Sequence, residues 1–241
     1  MAAATPRAKG LNSAQLKYFA AVMMFLDHLN MLLQPFARLY ATHPLAADSL
    51  YFLGRMAFPI FAFFVAEGMR HTRNRRAYLI RLGVFGGITQ LPFLLGLLEG
   101  SGSVIATFFL AAAGTFAYDK LRTRLPGWIS ILPLILLALI AHLAPTDYGW
   151  LGVLTAGCVY LAPGRKLQLI VLAFFMGLEY LIPAAGGFPG VAQWLAAGMA
   201  WLAVLILALL YNGQRGQINK WFFYWFYPLH LILLGGLAMI L

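Results

Sequence analysis

Apolar stretches of about twenty residues recur from one end of this 241-residue chain to the other, and nothing else in it constrains the fold so strongly. About twenty apolar residues in a helix match the ~30 Å hydrocarbon core of a bilayer. There, only helices and closed barrels satisfy the backbone polar groups. The composition agrees: 62% of residues are hydrophobic and 10% are charged, against about 25% charged in soluble domains. The expected fold is all-α, a polytopic helical membrane protein, with one domain over residues 1–241 and no internal repeat. Nine spans fit, approximately 14–36, 50–70, 78–98, 104–118, 128–144, 149–162, 167–183, 191–211 and 221–241, with the fourth and sixth short.

The loop charges test that count. Arg38 is the only Lys or Arg in the odd-numbered junctions (37–49, 99–103, 145–148 and 184–190). The N-terminal segment carries Arg7, Lys9 and Lys17. The even junctions carry Arg70, Arg73, Arg75, Arg76 and Arg81, then Lys120, Arg122 and Arg124, then Arg165 and Lys166, then Arg215 and Lys220. Fifteen of seventeen basic residues therefore fall on one side. The positive-inside rule makes that side cytoplasmic, with the N-terminus inside and the C-terminus outside. The opening MAAATPRAKG has no credible cleavage site, so it reads as the lead into a retained first helix. The net charge of +10 does not mark a nucleic-acid protein, because the cations are dispersed in short loops. A single cysteine, Cys158, excludes an internal disulfide and reads as inert packing.

Against this background, five ionisable groups in apolar segments stand out: Asp27, His28, Arg55, Glu67 and Glu179. An Asp at mid-bilayer costs about 2.5–3.5 kcal/mol on insertion scales, so such groups face a protein interior or a wet cavity. Helix rise turns position into depth. Asp27 lies about 20 Å up from the cytoplasmic edge, Arg55 about 8 Å below the outer edge, Glu179 about 18 Å up and His230 about 14 Å up. Glu67 falls near the cytoplasmic edge. Each has a structural reading too: Arg55 as a snorkelling side chain, Glu67 as a partner of Arg70 or His71, Glu179 as a lone ion-pair partner, His230 as a packed histidine. Adjacent residues on a helix do not share a face. Asp27 is expected to pair with Arg55, which neutralises both charges, and His28 to point into a cavity as an acid–base group.

Pro59 in the second span removes a backbone hydrogen bond, and Gly54 and Gly68 allow close helix approach. The run Arg70, Arg73, Arg75, Arg76 is either a topology and lipid-contact signal or a phosphate-binding mouth for a polyanionic cytosolic cosubstrate. Tyr227 and His230 lie at i, i+3 on one face. There is no nucleophile elbow, phosphate loop, HExxH or CxxC, and no Cys–His set for a metal.

The segments KYFAAVMMFLDHLN, LGRMAFPIFAFFVAEGMRHT and YLIRLGVFGGITQLPF, with DYGWLGV and KWFFYWFYPLHL later in the chain, resemble the TraX family of conjugative-pilin N-acetyltransferases. The resemblance covers most of the chain and is densest in the first ninety residues and at the C-terminus. The family also looks distantly related to integral-membrane acyltransferases that use acyl-CoA. The resemblance implies an inner-membrane enzyme that acetylates the N-terminal amine of a pilin subunit with acetyl-CoA as cosubstrate. Its DH motif falls on Asp27–His28, GRxAFP begins at Gly54–Arg55, EG is Glu67–Gly68, and YPxH supplies Tyr227 and His230.

Acyl transfer to an amine needs a base and donors for the oxyanion. The expected base is His28, with His230 the runner-up. Asp27 and Arg55 orient the site, and Arg55 or Tyr227 polarises the thioester carbonyl. Arg70, Arg73, Arg75 and Arg76 receive the donor's phosphates, with Glu67 and Tyr227 beside them. Two other classes remain open: a proton-coupled transporter using Asp27, His28 and Glu179 as a relay, and a non-enzymatic pilus-assembly membrane factor.

Overall fold

Pro59 decides where the second apolar stretch breaks. Proline has no amide hydrogen, so a helix continued through it leaves the carbonyl of residue 55 without its partner. The chain instead ends one helix at Gly54 and begins another at Ala57. Arg55 and Met56 form the turn between, and Pro59 sits in a first turn, where no donor is required.

The computed structural model describes residues 9–33, 41–98, 102–181, 190–217 and 219–240. Along them run α1 (Ser13–Leu33), α2 (Pro44–Gly54), α3 (Ala57–His71), α4 (Arg75–Leu94), α5 (Val104–Arg122), α6 (Gly127–Ser130), α7 (Leu132–Leu143), α8 (Gly149–Leu161), α9 (Gly164–Leu181), α10 (Val191–Leu210) and α11 (Lys220–Ile240). Two apolar stretches, α2 with α3 and α6 with α7, are each interrupted by a turn. The described helices therefore form nine columns that coincide with the nine stretches read from the sequence. Five are long and apolar enough to cross a membrane: Asp48–His71, Arg75–Leu94, Val104–Arg122, Val191–Leu210 and Lys220–Ala238. This is a helical membrane protein. Among the described residues the only β pairing is an isolated bridge, Leu11 with Tyr211.

The short columns differ in part from expectation. The fourth, α5, is 19 residues long. Its last turn leaves the apolar run, yet it stays helical because its cations lie along rings one turn back. Lys120 Nζ is 4.7 Å from the Phe116 centroid, and Arg122 Nε donates to Tyr118 OH at 3.2 Å. The short columns are the fifth, whose α7 has 12 residues, and the sixth, α8, with 13. Arg38 and the junction at 184–189 lie outside the described residues.

Helix α3 is central. Ile60, Ala62, Phe63 and Met69 are buried on it, and α1, α5, α8, α9 and α10 pack around it. Lipid gives helices little hydrophobic reason to associate, so close fit between small and large residues carries the packing. Leu134 of α7 fits between Gly114 of α5 and Gly157 of α8, where an added Cβ would approach it to 2.8 and 2.6 Å. A Cβ at Gly54 would collide with the Asp27 carboxylate. Gly54→Val is therefore expected to destabilise the protein by about 1–3 kcal/mol through overpacking. Thermal unfolding in detergent measures this, and an unchanged midpoint would refute the close α1–α2 approach.

Near the basic end, the segment before α1 is stitched to the α10–α11 connection. Leu11 N donates to Leu210 O at 2.6 Å, Asn212 N to Leu11 O at 2.9 Å and Ser13 N to Gln214 O at 2.8 Å. This leaves a space enclosed by α1, α3, α4, α5 and α11.

Candidate functional site

Asp27 and His28 are adjacent, so their side chains leave α1 about 100° apart. Asp27 faces the α2–α3 break, where Gly54 leaves room, and it forms an ion pair with Arg55. His28 faces α11. Its Nδ1 lies 2.5 Å from His230 Nε2, with ring centroids 4.8 Å apart. His230 Nδ1 is in turn 2.6 Å from the carbonyl oxygen of Phe226, one helical turn back. A carbonyl only accepts, so the proton of His230 is on Nδ1. In the neutral ring Nε2 is then bare, and His28 Nδ1 must donate to it. The same logic puts the remaining lone pair of His28 on Nε2. The chain of bonds thus fixes which nitrogen of His28 is basic.

Around Arg55, at the end away from the basic loops, the site is built from tyrosines and acids. The Tyr51 ring lies 4.6 Å from the Arg55 guanidinium carbon. Tyr148 OH and Tyr180 OH are 3.3 Å apart. Asp147 and Glu179 lie close enough for Glu179 to feel both Asp147 and Arg55. Tyr148 has φ 60°, the only positive φ outside glycine among the described residues. Such backbone costs of order 1–3 kcal/mol and persists where its surroundings over-determine it. Here Phe58 stacks on the Tyr148 ring at 3.7 Å, and Thr107 Oγ1 donates to the Asp147 carbonyl.

A cavity of about 480 Å³ runs from the basic end toward the histidines. Lys17, His71, Arg81, Arg215 and Lys220 are on its wall, as are apolar side chains such as Met24, Phe61, Ile105 and Phe108. Its wall includes Tyr227, whose ring is edge-on to both His28 (5.7 Å) and His230 (5.6 Å). His28 itself is buried and is not on the cavity wall. That corrects the expectation that it points into the cavity: it packs on His230, next to Tyr227, whose side chain lines the space.

The profile of the TraX protein family matches residues 12–238. The chain belongs to the TraX family. It is 30% identical to protein TraX of Escherichia coli over 93% of this chain and 86% of that protein. It is 31% identical to a probable fimbrial assembly protein FimC, serogroup H1, of Dichelobacter nodosus, over 94% of this chain and 96% of that one. No solved structure matches.

The structure gathers Asp27, His28, Arg55, Tyr227 and His230, the residues on which the TraX resemblance falls, around the C-terminal half of α1 and the middle of α11. Glu67 lies apart on the cavity wall, within 3.4 Å of Arg70 Nη1 and 3.3 Å of His71 Nε2, as its local-pairing reading had it. The arginine run is not on that wall. Arg70 Nη2 donates to the carbonyls of Val159 (2.9 Å), Ala162 (2.8 Å) and Tyr160, which satisfies the end of α8. Arg75 pairs with Asp119, which also accepts from Tyr160 OH. Arg73 and Arg76 are exposed.

Several residues of the candidate site carry little signal in the sequence. Tyr148 lies in the DYGWLGV block, where a tyrosine before glycine at a helix start was the available signal. Tyr51 and Tyr180 had none beyond their distance from Arg55 in depth. Lys17, Arg81, Arg215 and Lys220 register in the sequence only as topology charges.

Proposed function

We propose that this TraX family member is an inner-membrane acetyltransferase that moves an acetyl group from acetyl-CoA to the N-terminal amine of a pilin subunit. The names of its relatives, protein TraX and a fimbrial assembly protein, support a pilus-assembly setting. The observation that carries the chemistry is the hydrogen-bond chain from the Phe226 carbonyl through His230 to His28, because it presents one defined basic nitrogen in a buried place.

The transfer forms an N–C bond and breaks a C–S bond. His28 Nε2 takes the amine proton as the nitrogen attacks the thioester carbonyl, then passes it to the departing thiolate, so the thiol leaves neutral and the imidazole is restored. His230 holds the His28 tautomer and spreads the transient positive charge. Tyr227, whose ring borders both cavity and histidines, supports the reading of an O–H donor to the carbonyl oxygen. Arg55 is committed to Asp27, which favours a positioning role over direct contact with the thioester. The cavity fits delivery of the thioester from the basic, cytosolic end. The acids around Arg55 fit arrival of a cationic amine from the opposite end, a carboxylate there such as Glu179 taking the ammonium proton so that the free amine attacks.

The test uses purified protein in lipid vesicles with radiolabelled acetyl-CoA and a peptide bearing a free pilin-like N-terminus. Labelled peptide is expected, and none from the N-terminally blocked peptide. Protonophore-sensitive flux without acyl product would overturn the reading in favour of a carrier, and neither product nor flux would favour an assembly factor.

A further inference from the structure

We propose that Lys17, Arg81, Arg215 and Lys220 form a cationic collar at the mouth of the 480 Å³ cavity that binds the phosphate groups of a long acyl donor, the apolar cavity beyond taking its arm. This rests on the acyltransferase reading and assigns the donor's head to residues other than the arginine run after α3.

The four cations come from α1, α4, the α10–α11 connection and the first turn of α11, so they meet only in the folded chain. None is paired with a carboxylate among the described residues. Glu67, the one acid on the same wall, already has Arg70 and His71. Lys17 and Arg215 are near enough to repel each other, an arrangement an anion between them relieves. Aromatic faces hold three of the four in place: Lys17 over Phe64 at 4.8 Å, Arg81 over Tyr224 at 5.9 Å and Lys220 over Trp221 at 5.6 Å. The Arg81 guanidinium reaches the Tyr224 hydroxyl, and its Nε, like those of Arg55 and Arg165, is buried without a hydrogen-bond partner among the described residues. By contrast, Arg70 and Arg75 already have carbonyl and carboxylate acceptors.

The distances constrain the donor. Lys17 and His28 are eleven residues apart on one helix, about 16 Å along its axis. An anion on the collar and an acyl carbon near His28 therefore need a long connecting arm, the class of an extended pantetheine. Acetyl phosphate is too short to occupy both places at once.

The experiment measures coenzyme A binding to the full chain in phosphatidylcholine nanodiscs, with pantetheine as the phosphate-free probe. Arg81→Gln/Lys220→Gln is expected to weaken coenzyme A by about tenfold or more, for two lost charge-assisted contacts. It should leave pantetheine unchanged. Arg215→Gln/Lys220→Gln, both on exposed side chains, repeats the test without touching a buried group. Arg73→Gln/Arg76→Gln should retain coenzyme A affinity. Wild-type affinity in both collar variants, or its loss in the Arg73/Arg76 variant, overturns the collar. Competition by phosphatidylglycerol in the discs, lost in the collar variants, overturns it in favour of a lipid headgroup site. If the collar variants bind like wild type while peptide is still acetylated, the collar fails and the enzyme stands. If they lose coenzyme A but wild type yields no acetyl-peptide, the collar stands and the acetyltransferase fails.

Discussion

Replacing His28 by alanine is expected to lower acetyl transfer by about 10²–10⁴-fold, the range a positioned general base supplies. The protein should remain folded, because the deletion removes one ring from a contact that other aromatic groups also frame, Phe25 and Phe226 among them. His230→Ala is expected to cost less. It frees His28 to adopt either tautomer and does not remove the base. Exogenous imidazole should partly restore His28→Ala, a rescue that a packing defect would not show. Full activity in His28→Ala would transfer the base to His230 or dismiss general-base catalysis at this pair. Single-turnover assays alongside thermal unfolding separate these outcomes.

The second large effect concerns stability. Asp27→Ala is expected to cost about 3 kcal/mol, the lower end of the range for removing one partner of a buried ion pair, because the Asp27 and Arg55 side chains are partly exposed. The surviving guanidinium would be held by the Tyr51 face, and its Nε already has no partner among the described residues. Asp27→Ala/Arg55→Met should recover much of that loss, because the penalty is the stranded charge more than the missing bond. Unfolding midpoints in detergent for the two single variants and the double variant form the cycle. A single variant within 0.5 kcal/mol of wild type would mean that Arg55 reaches water or another acid without Asp27.

What the sequence made legible follows from what periodicity encodes. Hydropathy and loop charge locate helices along the chain, and rise per residue locates groups in depth, so the sequence alone matches Asp27 with Arg55. Rotation about each helix axis is not encoded that way. His28 was assigned to an open cavity because nothing in the first span alone says that α11 turns His230 toward it. The arginine run illustrates a different limit. Its density marks a membrane face, yet Arg70 is consumed by the carbonyls ending α8, a contact 89 to 92 residues distant. Conversely, the cations on the cavity wall are sequence-dispersed, and only the stitching of Leu11 and Ser13 to the α10–α11 connection brings Lys17 beside Arg215.

The ring of Tyr227 has a consequence for the cell's energetics. A wet passage lined by titratable groups through a bilayer would discharge the proton gradient. Tyr227 stands on the wall of the basic vestibule beside His28, where its ring narrows any such passage. Tyr227→Ala, reconstituted in vesicles with a pH-sensitive dye inside, is expected to leak protons where the parent protein holds the gradient. A narrowing at that depth is what a chemical site inside an energised membrane would require.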